Sequence, residues 1–268
     1  MSELLIAGLE KSFFPGTPNE TRALQGIDLR LEPGDFVTVV GSNGAGKSTL
    51  LNAVAGVVLP DKGRVTLGGE EITRQDEVQR ARRIGRVLQN PAAGTAPTLT
   101  VEENLSLAAA RGKRRTLRWA VNPLRRNQFR TQLAQLGLGL ENRLGERIGL
   151  LSGGQRQALS LLMATMNRPE VLLLDEHTAA LDPRTATLIA ELTARWVAEH
   201  RLTTLMVTHN LEHAIRLGNR LIMMHEGRIL FEVSGAEKAE LTIEGLRKAF
   251  ERVRGENFVY DRAVLAGD

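Results

Sequence analysis

The stretch GSNGAGKST, residues 41 to 49, decides the fold. It matches the pattern G-x-x-x-x-G-K-[ST] from Gly41 to Ser48. The apolar run DFVTVV leads directly into it, and residues 48–57 carry apolar side chains at helical spacing. A strand, a glycine-rich loop and a helix in this order form a phosphate-binding loop, because loop amides and a helix N-terminus converge on an anion. The stretch therefore predicts a nucleotide-binding α/β protein.

The loop supplies the first candidate ligands. Lys47 is expected to reach the β- and γ-phosphates of ATP, and the Ser48 hydroxyl to coordinate Mg²⁺. The candidate nucleotide-binding residues here are Gly41, Ser42, Asn43, Gly44, Ala45, Gly46, Lys47, Ser48 and Thr49. The alternative is a glycine-rich turn with a solvated lysine, which the complete spacing and the flanking elements disfavour.

Two carboxylates follow a second apolar run. Val171 to Leu174 are all apolar and end in Asp175 and Glu176. Because ligands of parallel sheets bind at the carboxyl ends of strands, Asp175 is predicted to hold Mg²⁺ through its water shell. Glu176 is predicted to accept a proton from, or orient, the water that attacks the γ-phosphate. Alone, the pair could equally be acidic residues that end a strand.

Strands and helices alternate through much of the chain. The run VLLLD precedes a predicted helix from Pro183 to about His200 with Asp182 as N-cap, and TTLMVT precedes the helix NLEHAIRLG. This alternation predicts a parallel sheet covered by helices. Apolar residues at 27, 29 and 31 alternate with charged ones, which predicts an antiparallel β-layer near the N-terminus.

The composition changes in the middle of the chain. Between Gln89 and Arg168 no convincing strand is found, Thr100 and Glu103 form a capping box, and another helix starts at Asn122-Pro123. We therefore predict one domain over residues 1–268 with an inserted helical subdomain. Its predicted parts are a core over 1–88 and 169–233, the helical subdomain over 89–168, and a C-terminal extension over 234–268 with an amphipathic helix from about Thr242. The extension is too short for an added regulatory domain.

Composition excludes several classes of protein. The 268 residues are 42% hydrophobic, enough for a sizeable core. No cysteine is present, so disulfides and thiolate metal sites are impossible, as suits a reducing compartment. No apolar run approaches the roughly 18 residues of a membrane span, and no signal-peptide pattern opens the chain. A net charge of +4 is too small to indicate nucleic-acid binding.

A second glycine-rich helix start gives the family. The stretch LLSGGQRQALSLL, residues 150 to 162, contains LSGGQ, which resembles the signature motif of ABC transporter ATP-binding subunits. The resemblance implies two copies arranged head to tail, with Ser152, Gly153, Gly154 and Gln155 of one copy closing over the ATP of the other. The expected fold is a P-loop NTPase of the ABC type: a RecA-like parallel sheet with the antiparallel layer and the helical insertion.

Further positions match the family in order and spacing. Gln89 matches the glutamine loop, which senses Mg²⁺ and the membrane partner, and His209 the switch histidine at the γ-phosphate. Asp182 matches the D-loop, and Phe13 the aromatic that stacks on adenine. Each is weak alone, since a lone Gln or His is usually a surface or core residue and an aromatic is usually buried.

Two features fall outside the pattern. His177 follows Glu176 where proline is commoner, and we expect it to face solvent without a function. The run from Arg111 to Arg130 has basic and no acidic residues. A solvated helix face is its ordinary interpretation, and contact of Arg114, Arg115 and Arg118 with anionic lipid or a membrane subunit is the alternative.

The resemblance implies a transport ATPase. The expected partners are an integral membrane permease, a second copy of the chain and an extracytoplasmic substrate-binding protein, at the cytoplasmic face of the plasma membrane, without nucleic acid. The stretches QNPAAGTAP, RGKRR and LLSGGQRQALSLLMAT resemble a branch of importer ATPases, some associated with aromatic amino acids. Alternatives are an exporter subunit, or a soluble ATPase acting on nucleic acid or ribosomes. The soluble type usually has two cassettes or a long coiled coil, and neither is seen.

Overall fold

The computed structural model describes residues 2–113 and 122–254, in which strands and helices alternate along the chain. The strands are β1 (Leu4–Phe13), β2 (Thr21–Leu31), β3 (Phe36–Gly41), β4 (Lys62–Leu67), β5 (Glu70–Glu71), β6 (Ile84–Val87), β7 (Val171–Asp175), β8 (Thr203–Val207), β9 (Arg220–His225) and β10 (Arg228–Ser234). The helices are α1 (Lys47–Ala55), α2 (Glu77–Arg80), α3 (Val101–Ala110), α4 (Pro123–Ala134), α5 (Gly153–Thr165), α6 (Pro183–His200), α7 (Leu211–Arg216), α8 (Gly235–Ala239) and α9 (Ile243–Arg254).

The chain divides into two compact units. One comprises Met1–Arg80 and Arg201–Asp268, and the other Ala81–His200. The predicted domain boundaries, with a helical subdomain over 89–168, remain a prediction.

The first unit contains the predicted antiparallel layer. Its strands lie in the order β2-β1-β4-β5, and Leu4 of β1 pairs with Leu31 on one side and Leu67 on the other. Ile27, Leu29 and Leu31 are buried, as their alternation with charged residues predicts. The layer therefore has one face in the core and one in water.

A second sheet of the first unit carries the phosphate loop. Its strands lie in the order β10-β9-β3-β8, with β3 parallel to both neighbours and β10 antiparallel to β9. The residues of β8 are all buried, as expected for a parallel strand covered on both faces. Helix α9 begins at Ile243, next to the predicted Thr242, and buries Leu246 and Phe250 in this core.

The second unit combines two parallel strands with most of the long helices. Strands β6 and β7 pair in register from Ile84 with Val171 to Val87 with Leu174. The predicted Thr100–Glu103 capping box is confirmed at α3, and Asn122 caps α4 through the amide of Arg125. The α/β expectation is thus confirmed, with β6 added just before the predicted helical stretch.

The basic run is only partly described. Arg114, Arg115 and Arg118 lie outside the described residues, so their predicted contacts stay a prediction. Arg111 donates to the carbonyl oxygen of Ala164 at 2.8 Å, and Arg126 pairs with Glu102 at 2.6 Å. These two guanidinium groups therefore have partners within the second unit.

No helix in the described part of the chain is both long enough and apolar enough to cross a membrane.

Candidate functional site

The phosphate loop joins β3 to α1 through a tight backbone turn. Gly46 has φ 95°, and a Cβ atom there would lie 2.3 Å from the carbonyl oxygen of Ala23. Only glycine fits, because the left-handed conformation and the close approach both exclude a side chain. Within the described chain no side chain caps the start of α1, and its first turn has no acidic residue. The positive end of the α1 dipole therefore lies in this loop with no carboxylate in the first turn, an arrangement that favours an anion.

Lys47 places a buried cation in this loop. The residue is 6% exposed, and Nζ donates to the carbonyl oxygens of Gly41 at 2.7 Å and Ser42 at 2.9 Å. These two bonds hold the ammonium inside the loop where a phosphate would bind. The neighbouring residue, Ser48, is exposed. The chemistry of the loop fits a nucleoside triphosphate.

The switch position lies at the same edge of the sheet. Strand β8 runs parallel to β3, Val39 pairs with Val207, and the amide of Thr208 donates to the carbonyl of Val39 at 3.1 Å. His209 follows immediately and is exposed, and Asn210 caps α7. The first unit thus brings the predicted phosphate loop and the predicted switch histidine to one sheet edge.

Phe13 lies elsewhere in the first unit. It ends β1 in the antiparallel layer, half-buried, with the Lys11 ammonium 5.8 Å from its ring centroid. No hydrogen bond or ring contact in the described chain joins it to the phosphate loop. Its neighbour Phe14 is 68% exposed. The assignment of Phe13 to adenine stays a prediction.

The second unit places three predicted residues at the ends of its parallel strands. Asp175 ends β7 and Glu176 follows it, while Gln89 lies exposed just beyond β6. The register of β6 and β7 brings Gln89 and Asp175 to the same edge of this strand pair. Asp175 forms an ion pair with Arg86 of β6 at 3.1 Å, and both side chains are mostly buried.

Two residues near this edge were not predicted from the sequence. Besides Arg86, Gln157 of α5 is fully buried and donates to the carbonyl of Leu88 at 3.2 Å. This hydrogen bond joins α5, which begins with the LSGGQ stretch, to Leu88, the residue that precedes Gln89. The only feature of the sequence that could have indicated this contact is a glutamine on the apolar face of a helix, since a buried polar group needs a hydrogen-bond partner.

The LSGGQ stretch begins α5 as predicted. Gln155 donates its amide to Ser152 Oγ at 3.2 Å and accepts the Ser152 amide at 3.1 Å, which completes a capping box. Gln155 also contacts Leu138 and Arg143, so its side chain fixes the helix start. A Cβ atom at Gly154 would lie 2.4 Å from Thr185 Cγ2, so only glycine lets α6 approach so closely.

Asp182 caps α6 as predicted. Its Oδ1 accepts from the amide of Thr185 at 3.1 Å, and hydrogen bonds from the Thr185 hydroxyl and amide lower the pKa of its carboxyl. Asp182 is exposed and ionised at neutral pH, and its role toward a nucleotide stays a prediction.

The expectation for His177 is wrong. The residue is 3% exposed, and its Nε2 lies 3.1 Å from Thr193 Oγ1 of α6. The loop after β7 folds back onto α6, so a position that looked like a surface turn is covered by a helix sixteen residues later. Sequence periodicity carries no signal for that contact.

Comparison with known proteins gives a consistent family. A family model described as ABC transporter matches residues 24–179. The tyrosine transport ATP-binding protein of Clostridioides difficile (strain R20291) is 45% identical over 249 residues, which cover 92% of this chain and 98% of that relative. The lipoprotein-releasing system ATP-binding protein LolD of Ruegeria pomeroyi (strain ATCC 700808 / DSM 15171 / DSS-3) is 36% identical over 241 residues, covering 87% and 100%.

Solved structures share the fold. The ADP conformation of MJ1267, an ATP-binding cassette of an ABC transporter, matches with TM-score 0.77 at 26% identity and covers 96% of this chain and 100% of its own. The dimeric post-hydrolysis state of the cassette MJ0796, bound to ADP and Pi, matches with TM-score 0.72 at 28% identity over 86% and 98%.

Proposed function

The chain belongs to the ABC transporter ATP-binding family, and we propose that it is the ATP-hydrolysing subunit of a transporter whose separate membrane protein carries the substrate. The observation that carries this proposal is the phosphate loop, where the buried Lys47 ammonium lies beside the uncapped start of α1. A solvated lysine in an ordinary turn would not be buried.

ATP binding uses groups of opposite charge to the triphosphate. The loop amides from Gly41 to Thr49 and the N-terminus of α1 face the phosphates, and Lys47 pairs with the β- and γ-phosphates. Phe13 stacks on the adenine. His209 contacts the γ-phosphate from the sheet edge that β3 and β8 share.

The oxygen donors of the chain suit Mg²⁺, which prefers hydroxyl and carboxylate ligands. The proposed ligands are Ser48, Asp175 and Gln89; Ser48 is exposed, and the Asp175 side chain is 15% exposed. When bound, Mg²⁺ supplies charge neutralisation at the transferred phosphoryl group. Arg86 pairs with Asp175 at 3.1 Å, so Mg²⁺ would compete with this guanidinium for the carboxylate.

Hydrolysis requires a group that orients and deprotonates water. Glu176 follows Asp175 directly, and its carboxylate accepts a proton from the water that attacks the γ-phosphate. Lys47 and His209 stabilise the charge that develops on the phosphoryl oxygens.

A second copy of the chain completes the reaction cycle. Ser152 and the amides of Gly153 and Gly154 form an anion site at the start of α5 that closes over ATP held by the partner copy. The capping box at this helix start engages the amides of Ser152 and Gln155, not those of Gly153 and Gly154. Closure drives a permease between two states, and hydrolysis resets the dimer.

The transport direction and cargo are the finer part of the proposal. We infer an importer that works with a substrate-binding protein, at the cytoplasmic face of the plasma membrane and attached through its permease. A tyrosine transport ATP-binding protein is among the relatives, so an aromatic amino acid is the first cargo to assay.

Replacing Glu176 by Gln tests the chemical assignment. The variant should bind ATP like the wild type and lose about two to four orders of magnitude of turnover, because only the proton acceptor changes. Nucleotide titration and phosphate release separate the two effects. Lys47→Met is the matched control, which should lose ATP binding itself. A Glu176→Gln variant that turns over normally would refute the assignment.

Co-purification tests the transport assignment. The tagged Glu176→Gln variant with ATP, which holds the closed state, is isolated from gently solubilised membranes and its partners are identified by mass spectrometry. Recovery of a multi-span permease supports transport, and a substrate-binding protein with it supports import. Recovery with ribosomes or nucleic acid from the soluble fraction would overturn transport and leave the ATPase.

A further inference from the structure

Glu176 has an uncommon backbone conformation. Its φ is 43°, in the left-handed region that residues with side chains rarely adopt. Such a conformation persists only where the surrounding structure fixes it. The carbonyl of Glu176 accepts from the amide of Ala179 at 2.9 Å, which closes the turn on one side. The other constraint comes from the next residue.

His177 anchors this turn in the core of the second unit. Its side chain is 3% exposed, and its Nε2 lies 3.1 Å from the hydroxyl of Thr193, which is fully buried. The hydroxyl of Thr193 in turn donates to the carbonyl of Ile189 at 2.7 Å, one turn earlier on α6. A buried polar group of this kind is costly without a partner, so the contact is specific.

The direction of this hydrogen bond follows from the proton count. A threonine hydroxyl has one proton, and Thr193 uses it toward Ile189. The oxygen of Thr193 must therefore accept from His177, whose Nε2 carries the proton. The hydrogen bond requires an N–H at Nε2 of residue 177. A phenyl ring of similar size would therefore leave Thr193 Oγ1 without this donor.

Helix α6 provides a fixed support for the anchor. Trp196, one turn after Thr193, is 3% exposed and donates its indole N–H to Thr165 Oγ1 of α5 at 2.9 Å. Asp182 caps the start of the same helix. The helix that receives His177 is thus held at its first turn and at its middle.

We propose that His177 is a positioning residue for Glu176: the buried His177–Thr193 hydrogen bond holds the left-handed turn that aims the Glu176 carboxylate. This inference rests on the proposed role of Glu176 in hydrolysis. His177 itself contacts neither nucleotide nor water in the reaction. Its loss leaves ATP binding intact and lets the carboxylate move away from the attacking water.

The test uses paired substitutions at both ends of the hydrogen bond. Thr193→Val and His177→Phe remove the acceptor or donor while keeping most of the volume. Thr193→Ser keeps the hydroxyl, and His177→Gln keeps an N–H near the position of Nε2. Thr187→Val is the matched control, since Thr187 also donates to a carbonyl one turn earlier on α6, at 3.1 Å, but is exposed.

We expect Thr193→Val and His177→Phe to lower kcat by about ten- to a hundredfold with little change in KM for ATP. Thr193→Ser, His177→Gln and Thr187→Val should stay near the wild type. Each variant is checked for folding by thermal denaturation. The same substitutions are then made in a Glu176→Gln background, where the positioning effect has no carboxylate to act on.

The outcomes separate the two ideas. A loss of kcat that the conservative variants rescue and that disappears in the Glu176→Gln background supports positioning. Normal turnover of Thr193→Val and His177→Phe, or an equal loss in both backgrounds, overturns it while leaving the role of Glu176 intact. If Glu176→Gln alone turns over normally, the proposed function of Glu176 fails, and this inference fails with it.

Discussion

Replacing Arg80 by methionine removes a cation that the first unit buries against the end of α1. Arg80 is 1% exposed, and its Nη1 donates to the carbonyls of Ala53 at 2.7 Å and Val54 at 2.8 Å. Its Nη2 donates to Thr73 at 2.8 Å and its Nε to Gln75 at 2.9 Å. Burial lowers the pKa of Arg80 to about 10, so the guanidinium is still charged at neutral pH.

The magnitude follows from these four bonds. A hydrogen bond from a charged donor contributes about 1.5 kcal/mol or more, so four together approach roughly 6 kcal/mol. Methionine does not bear the desolvation cost of the guanidinium, which offsets part of this loss. We therefore expect the free energy of unfolding to fall by about 2 to 4 kcal/mol. In a chain of this size that lowers Tm by roughly 5 to 15 °C.

The assay is urea and thermal denaturation without nucleotide. Arg22→Met is the matched control, because the Arg22 side chain is 72% exposed and its pair with Glu20 measures 3.4 Å. It should change stability by less than about 0.5 kcal/mol. The stability of Arg80→Lys should lie between those of Arg80→Met and the wild type, since one ammonium cannot reach four carbonyls. A loss below about 1 kcal/mol for Arg80→Met would refute the reasoning, because the carbonyls would then not depend on the guanidinium.

Three further outcomes are expected. Burial lowers the pKa of Lys238 to about 8, below the roughly 10.4 of an exposed lysine, so the unfolded chain binds more protons between these values. The urea midpoint of the wild type relative to Lys238→Met should therefore rise as pH increases through this window. Arg86→Met removes the cation 3.1 Å from Asp175, so half-maximal hydrolysis should need less Mg²⁺; a greater need would mean that Arg86 orients the carboxylate instead. His225→Phe keeps the ring but loses the 3.3 Å contact of Nδ1 with Ser42 Oγ, and steady-state kinetics should show a higher KM for ATP with kcat retained.

The sequence predicts well where local pattern and motif agree. The run into Gly41 and the glycines after it predict β3, the loop and α1, because both the apolar period and the turn chemistry are local. The capping box at Thr100 is likewise confirmed, since it involves residues three apart.

Contacts between distant residues were not predictable in this way. Strand β6 has only four residues and its partner Val171 lies 87 positions after Ile84, so no periodicity identifies it. The Arg86–Asp175 pair spans 89 positions. His177 looked like a surface residue because its burial depends on α6. In each case the information lies in tertiary packing, which overrides local preference.

Tertiary contacts also hold α1 and α7, the two helices that follow the phosphate loop and His209; we call them the site helices. Helix α1 begins at Lys47 in the phosphate loop, and α7 begins two residues after His209. Their carbonyl ends carry partial negative charge and need hydrogen-bond donors when buried, for which a cation is well suited. Arg80 supplies one to α1, and Lys238 donates to three carbonyls at and just beyond the end of α7, the longest of these bonds being 3.0 Å.

Neither cation belongs to the helix that it binds, and α1 has no basic residue in its last turn. Each helix is therefore held at both ends. Its carbonyl end binds a cation from a distant part of the chain, and its N-terminal end follows a strand, β3 or β8, that is fixed by pairing in the sheet. A substitution at Arg80 or Lys238 should accordingly loosen the site helices although neither side chain is among the predicted nucleotide ligands. Thermal stability without nucleotide and KM for ATP should then change together at these two positions, whereas substitutions at His177 should lower kcat with little change in KM for ATP.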